Sequence, residues 1–72
     1  MRIRDLREDN DLTQQQVAQY LNIRQNTYSQ YETGIRQIPV EVLVALAALY
    51  KTSTDYLLGI TDTKKPYPKT KD

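Results

Sequence analysis

The sequence predicts an all-α protein of five short helices, and three observations lead to this prediction. Apolar residues recur at spacings of three and four along the chain, which is the period of an amphipathic helix. The chain contains only two glycines among its 72 residues. Its β-branched residues do not alternate with polar residues as they do in a half-buried strand. A chain of this length supplies one domain with a small core.

Composition excludes several classes of function. The chain has no cysteine and no histidine, which removes disulfides, thiolate or imidazole metal ligands, and catalysis by either side chain. We therefore expect neither an enzyme nor a cofactor. An early acidic cluster lacks the spacing and the glycine of a calcium loop, and we interpret it as a solvated helix end: Asp5, Glu8, Asp9 and Asp11. No signal peptide or long apolar run is found, so we expect a cytoplasmic protein without a membrane segment.

The first two helices are predicted from apolar spacing and capping residues. The first runs from about residue 2 to residue 9, with Ile3 and Leu6 on its inner side. The second begins at Thr13, because Gln16 stands three residues later and the two can form a capping box. Asn22 tolerates a left-handed backbone and ends this helix. Its predicted buried stripe consists of Val17, Ala18 and Leu21.

The third helix is predicted over residues 25–33, and Gly34 closes it. Only three residues, 22–24, separate it from the second helix. Two helices of about nine residues joined by such a short turn form a helix-turn-helix.

The remaining helices and the tail follow from proline, capping and charge. Pro39 marks the first turn of a fourth helix to about Tyr50, whose nearly uncharged sequence predicts a central buried helix. Ser53 caps a short fifth helix that Gly59 ends. Residues 61–72 carry four lysines, two aspartates and two prolines with no aliphatic residue. We therefore predict a folded domain over residues 1–60 and a flexible basic tail over residues 61–72.

Residues 12–59 contain the pattern LTQ..VA..L.I....YSQYE.G....P...L..LA..Y..S.DYLLG. This pattern resembles the Cro/repressor-type helix-turn-helix domain of phage and bacterial regulators. The resemblance covers residues 1–60. It implies a compact, lambda-repressor-like fold and a sequence-specific transcriptional regulator, a repressor that binds double-stranded DNA at a two-fold operator as a homodimer. The chain departs from the family at Asn22, where glycine is usual, and at Arg24, where a serine often caps the third helix.

The third helix has one apolar face and one polar, uncharged face. On a helical wheel, Tyr28 and Tyr31 share an arc, and the opposite arc carries amides and hydroxyls. A solvated face usually carries Lys and Glu, whereas Gln and Asn can bind adenine bidentately in the major groove. Combined with the resemblance, this pattern predicts base reading by Gln25, Asn26, Ser29 and Gln30.

A second set of residues is predicted to contact the DNA backbone. Gln14 stands at the first position of the second helix, where unpaired N–H groups and the helix dipole favour an anion, and the resemblance implies a phosphate contact there. Arg36 and Gln37, in the loop after Gly34, match positions that contact the DNA backbone in the family. The full set of predicted phosphate contacts is Thr13, Gln14, Arg24, Arg36 and Gln37; ordinary surface roles remain the alternative for the arginines.

Three further expectations concern structure and assembly. Arg7 and Glu32 are expected to form an ion pair, as repressor domains of this type often pair these positions. A five-residue helix cannot bury all of the apolar residues at its end, so the candidate dimer interface is Leu57, Leu58 and Ile60. Four tyrosines at core spacing are expected to pack their rings inside and keep their hydroxyls in water: Tyr28, Tyr31, Tyr50 and Tyr56.

The rival prediction is an antitoxin or a helical adaptor whose main partner is another protein. Such a protein should expose large apolar residues, and Val44 and Ala48 on the outer side of the fourth helix are the hint of this.

Overall fold

The computed structural model describes residues 1–66 and contains five helices and no strands over that range. The helices are α1 (Ile3–Asp9), α2 (Gln14–Leu21), α3 (Gln25–Thr33), α4 (Val40–Leu49) and α5 (Thr54–Leu58). The predicted all-α, five-helix fold is confirmed. Within residues 1–66, no helix combines the length and the apolar content that crossing a bilayer requires.

Local side-chain chemistry sets the helix ends. Thr13 and Gln16 form both hydrogen bonds of a capping box at the start of α2, and Ser53 Oγ accepts the Tyr56 backbone N–H at the start of α5. Asn22 ends α2 in the left-handed conformation with φ 59°. Gly34 takes φ 82° after α3, a value that favours glycine, so the chain reverses there into the loop before α4.

The core lies where the inner faces of all five helices meet. The largest side chain with no exposed surface is Tyr28 of α3, and Leu46 of α4 and Leu57 of α5 are buried as completely. Burying a side chain of this size contributes about 1.5–3 kcal/mol by removing apolar area from water. The buried apolar residues are Ile3, Leu6, Val17, Ala18, Tyr28, Tyr31, Ile38, Leu46, Ala47, Tyr50 and Leu57.

The fourth helix is buried on one side only, and Val44 and Ala48 lie on its exposed side as expected. Only Leu46 and Ala47 of α4 are fully buried, whereas Val40 and Val44 are 70% and 55% exposed. These two valines are one helical turn apart, so they share a face. An almost uninterrupted apolar run hides which side of a helix faces inward, and α4 packs with one side only.

The expectation of solvated tyrosine hydroxyls is wrong for two of the four. The hydroxyl oxygens of Tyr28 and Tyr50 are buried, and neither has a hydrogen-bond partner among residues 1–66. The rings of Tyr28 and Tyr50 lie within the buried core cluster, and their hydroxyl oxygens are enclosed with them.

Arg2 joins the start of the domain to its end. Its backbone N–H donates to Leu57 O at 2.8 Å, and its Nη1 donates to Thr61 O at 2.7 Å. Its Nη2 lies 2.6 Å from Asp62 Oδ1, and the guanidinium carbon lies 4.2 Å from the centre of the Tyr56 ring. Thr61 and Asp62, which follow α5, are thus held against the domain. Residues 67–72 of the predicted tail lie outside the described range.

Candidate nucleic-acid interface

The outer face of α3 is polar and carries no charge. Gln25 and Asn26 are exposed, and Ser29 and Gln30 are half-buried. Tyr28 and Tyr31, on the opposite side of the helix, are buried, and this anchoring turns the amides outward. The four predicted base-reading residues therefore lie together on one accessible face.

The start of α3 is not capped by a side chain. Arg24 occupies the capping position in an extended conformation and makes no side-chain hydrogen bond to the helix. Its side chain is exposed. The first N–H groups of α3 and the guanidinium thus stand at the same end, where both favour an anion.

Gln14, at the start of α2, is bound to α3. Its Nε2 donates to Glu32 Oε1 at 3.0 Å, a contact that the sequence did not predict. Thr13 Oγ1 accepts the Gln16 N–H at 3.1 Å, so its hydroxyl hydrogen can still donate outward. The two residues predicted to contact phosphate at this end are therefore held by the capping box and by Glu32.

Arg7 and Glu32 form an ion pair between α1 and α3. Arg7 Nε lies 2.7 Å from Glu32 Oε2, and Arg7 Nη2 donates to Oε1 at 3.2 Å. The two side chains are only 12% and 3% exposed. Arg7 Nη1 also donates to Leu12 O at 2.9 Å, so the guanidinium links α1 to α3 and to the loop before α2.

The environment of this pair shifts several pKa values. Burial alone would raise the pKa of Glu32, but the hydrogen bonds from Arg7 and Gln14 and the charge of Arg7 hold it below its ordinary range. Burial and the neighbouring Glu32 carboxylate raise the pKa of Tyr28 strongly. Burial also raises the pKa of Tyr50 to about 12. Glu32 is thus ionised and both tyrosines are neutral at pH 7.

The loop after α3 is bonded to the predicted reading face. Arg36 Nε donates to Gln30 Oε1 at 2.9 Å, and the Arg36 backbone N–H donates to the Gln30 carbonyl at 3.2 Å. Gln37 is exposed beside Arg36. A predicted phosphate contact and a predicted base contact are therefore directly connected, which spacing along the chain did not indicate.

The candidate dimer residues divide into two groups. Leu57 is completely buried in its own core, so including it in an interface was wrong: the α5 turn points this side chain inward, beneath α4. Leu58 and Ile60 are exposed, Ile60 by 71%.

Residues 3–57 match a family profile described as helix-turn-helix. An uncharacterized HTH-type transcriptional regulator of Bacillus subtilis, YobD, is 42% identical over 65 residues, which is 90% of this chain and 58% of that protein. The HTH-type transcriptional regulator ImmR of the same organism is 39% identical over 89% of this chain and 50% of its own. The cryptic phage CTXphi transcriptional repressor RstR of Vibrio cholerae is 36% identical, over 86% and 56% respectively. The chain spans about half the length of these relatives. No solved structure matches it.

Proposed function

The chain belongs to the helix-turn-helix family, and on that premise we propose that it is a sequence-specific transcriptional regulator that binds double-stranded DNA. It acts as a repressor on a two-fold operator, with one subunit on each half-site. The relatives named above carry the words regulator and repressor in their descriptions.

The observation that carries this proposal is the uncharged amide face of α3. Gln25, Asn26 and Gln30 each offer a donor and an acceptor side by side, and Ser29 offers a hydroxyl. Such groups match base edges in the major groove, where every base pair presents a distinct pattern of donors and acceptors. In the helix-turn-helix docking mode the second helix of the pair enters that groove, and here the second helix is α3.

Contacts with the DNA backbone on both sides of α3 would hold this helix in the groove. Thr13 and Gln14 stand at the start of α2, Arg24 at the start of α3, and Arg36 and Gln37 in the loop after it. Phosphate contacts from both ends of the reading helix fix its position without reading sequence. The two arginines of this set, Arg24 and Arg36, also attract the protein to DNA through their charge.

The proposed homodimer uses the exposed apolar residues of α4, of α5 and of the turn after α5, which are Val40, Val44, Leu58 and Ile60. A second copy is the occupant that a two-fold operator requires, because two reading helices must lie about 34 Å apart, one turn of DNA. A two-fold interface also brings the same residues together from both subunits.

The experiment that tests DNA reading is selection of binding sites from random duplexes. A palindromic consensus supports DNA binding, sequence specificity and two-fold symmetry together. Recovery of random sequence with no consensus would overturn the proposal.

The dimer is tested by analytical ultracentrifugation, with and without the selected duplex. Leu58→Glu should abolish self-association, because it places a charge within an apolar interface. Ile35→Glu is the matched control, since Ile35 is an exposed aliphatic residue in the loop after α3. Unchanged association of Leu58→Glu would place the interface elsewhere, and a wild-type protein that is monomeric on its operator would refute the dimer.

An adaptor or antitoxin that binds another protein is the second candidate function. The exposure of Val40 and Val44 favours it, because monomeric proteins seldom expose neighbouring apolar side chains without a partner. A protein that binds no duplex selectively and does not self-associate would favour this alternative.

A further inference from the structure

Gln30 and Arg36 are joined by two hydrogen bonds, one between side chains and one between backbones. The backbone bond, from Arg36 N–H to Gln30 O at 3.2 Å, fixes where the arginine side chain begins. The side-chain bond, from Arg36 Nε to Gln30 Oε1 at 2.9 Å, then spans a short distance between two anchored residues. Thr33 Oγ1 donates to the same Gln30 carbonyl at 3.3 Å. The pair is therefore organised by the end of α3 before any DNA is bound.

The chemistry of arginine fixes which way the Gln30 amide points. A guanidinium has N–H donors and no acceptor. The amide atom that faces Arg36 must therefore be the oxygen, whichever way the two amide atoms are assigned. The amide nitrogen is turned away, and it makes no hydrogen bond within residues 1–66. Gln30 thus points its two N–H donors away from Arg36, while its oxygen, which keeps a second lone pair, is held toward the guanidinium.

We propose that Arg36 is a positioning residue that sets the base preference of Gln30, so that Gln30 selects guanine and not adenine. This inference rests on the proposed function. A glutamine binds adenine bidentately by donating to N7 and accepting from N6, which requires that the amide nitrogen and the amide oxygen both face the base. A glutamine whose N–H donors face the base, while Arg36 holds its oxygen aside, matches guanine, whose N7 and O6 are adjacent acceptors in the major groove. Cytosine presents its exocyclic amine, which is a donor and cannot accept a hydrogen bond from the Gln30 amide nitrogen.

This role is distinct from a phosphate contact by Arg36. A cation that only neutralises phosphate weakens binding to all sequences when it is removed. A residue that holds the Gln30 oxygen changes the preferred base at one position. Arg24 is the matched comparison, because it is an exposed arginine at the other end of the same helix and forms no side-chain hydrogen bond to that helix.

The experiment compares binding sites selected by four forms of the protein: wild type, Gln30→Ala, Arg36→Ala and Arg24→Ala. The position that loses its preference in Gln30→Ala is the position that Gln30 reads. Competition binding with duplexes altered at that position then measures the preference of guanine over adenine. Arg36 is exposed, so Arg36→Ala should fold normally, and circular dichroism checks this.

We expect wild type to prefer guanine at that position by roughly tenfold. Arg36→Ala should reduce this preference to about twofold or reverse it toward adenine, because the released oxygen can accept from N6. Arg24→Ala should weaken binding and leave the preference intact. Adenine at this position in wild type, a guanine preference that survives Arg36→Ala, or a Gln30→Ala protein that loses no preference would each overturn the inference. Wild-type protein that selects no consensus would overturn the proposed function itself, and the inference with it.

Discussion

Arg7 binds the Glu32 carboxylate bidentately: Nε donates to Oε2 at 2.7 Å and Nη2 donates to Oε1 at 3.2 Å. The same carboxylate accepts the Gln14 amide, so one buried ion pair connects α1, the start of α2 and the reading helix. Glu32 is also adjacent to Thr33, the exposed last residue of α3. An unpaired carboxylate at this place would repel phosphate. The pair therefore stabilises the domain and neutralises an acid beside the proposed DNA surface.

Replacing Arg7 with alanine should lower the free energy of unfolding by about 3 kcal/mol, because it leaves the nearly buried Glu32 without its partner. Urea denaturation measures the change. The matched control is Arg4→Ala, which breaks a largely exposed pair with Glu8 at 3.5 Å and should cost about 0.5 kcal/mol or less. Equal losses in the two variants would contradict a structural role for the buried pair.

Alkaline pH should destabilise the protein through its buried tyrosines. Burial raises the pKa of Tyr50 to about 12, whereas an unfolded tyrosine ionises near pH 10. Between these values the unfolded chain loses a proton that the folded chain keeps, so stability is full below about pH 10 and falls as pH rises. The loss is about 1.4 kcal/mol per pH unit for each such tyrosine.

The measurement is thermal unfolding of wild type and Tyr50→Phe between pH 8 and pH 11. Tyr50→Phe should lessen the alkaline loss and change stability little at pH 7, because the hydroxyl it removes has no partner within residues 1–66. Tyr20→Phe, at an exposed position, is the control and should unfold like wild type throughout. A large loss at pH 7 in Tyr50→Phe would mean that its hydroxyl is bonded after all.

Gln25→Ala should weaken binding to the selected duplex by about 1–3 kcal/mol and relax the preference at one base position. Gln25 is exposed and contributes nothing to the core, so the unfolding free energy should stay the same. Fluorescence anisotropy with specific and scrambled duplexes gives both affinities. Gln19→Ala, an exposed glutamine on α2, should bind like wild type, and identical behaviour of the two variants would identify the amides as ordinary surface.

Salt should weaken DNA binding only moderately. Arg24 and Arg36 are the cations of the proposed phosphate contacts, and we add Lys51, which is exposed just after α4. Neutralising roughly three phosphates gives a slope of about −3 per subunit in a plot of log affinity against log salt. Arg24→Ala should reduce the slope by about one. A wild-type slope near −6 per subunit would reveal a larger cationic surface than this one.

Helix ends and helix count were predictable because their causes are local. Thr13 with Gln16, Asn22 and Gly34 each act within one turn of their own helix, and a spacing rule captures that. The family resemblance, now supported by the profile match over residues 3–57, rests on the same local pattern.

Long-range contacts were not predictable, except where the resemblance suggested Arg7 and Glu32. Gln14 binding to Glu32 and Arg2 binding to Thr61 join residues 18 and 59 positions apart, and any polar residue has many partners available at such separations. The exposed side of α4 was predicted only in part, because Val44 was expected to face outward and the exposure of Val40 was not foreseen. When nearly every position of a helix is apolar, the hydrophobic pattern has no direction, and packing alone decides which valines face out.

The contact of Arg2 with α5 determines how the domain opens. A helix of five residues is too short to persist alone, and the final carbonyls of any helix lack partners within it. In α5 two of these carbonyls, on Tyr56 and Leu57, accept hydrogen bonds from Arg2. The two ends of the domain are therefore one cooperative unit, and amide hydrogen exchange in α5 should proceed only through openings that also release the start of α1.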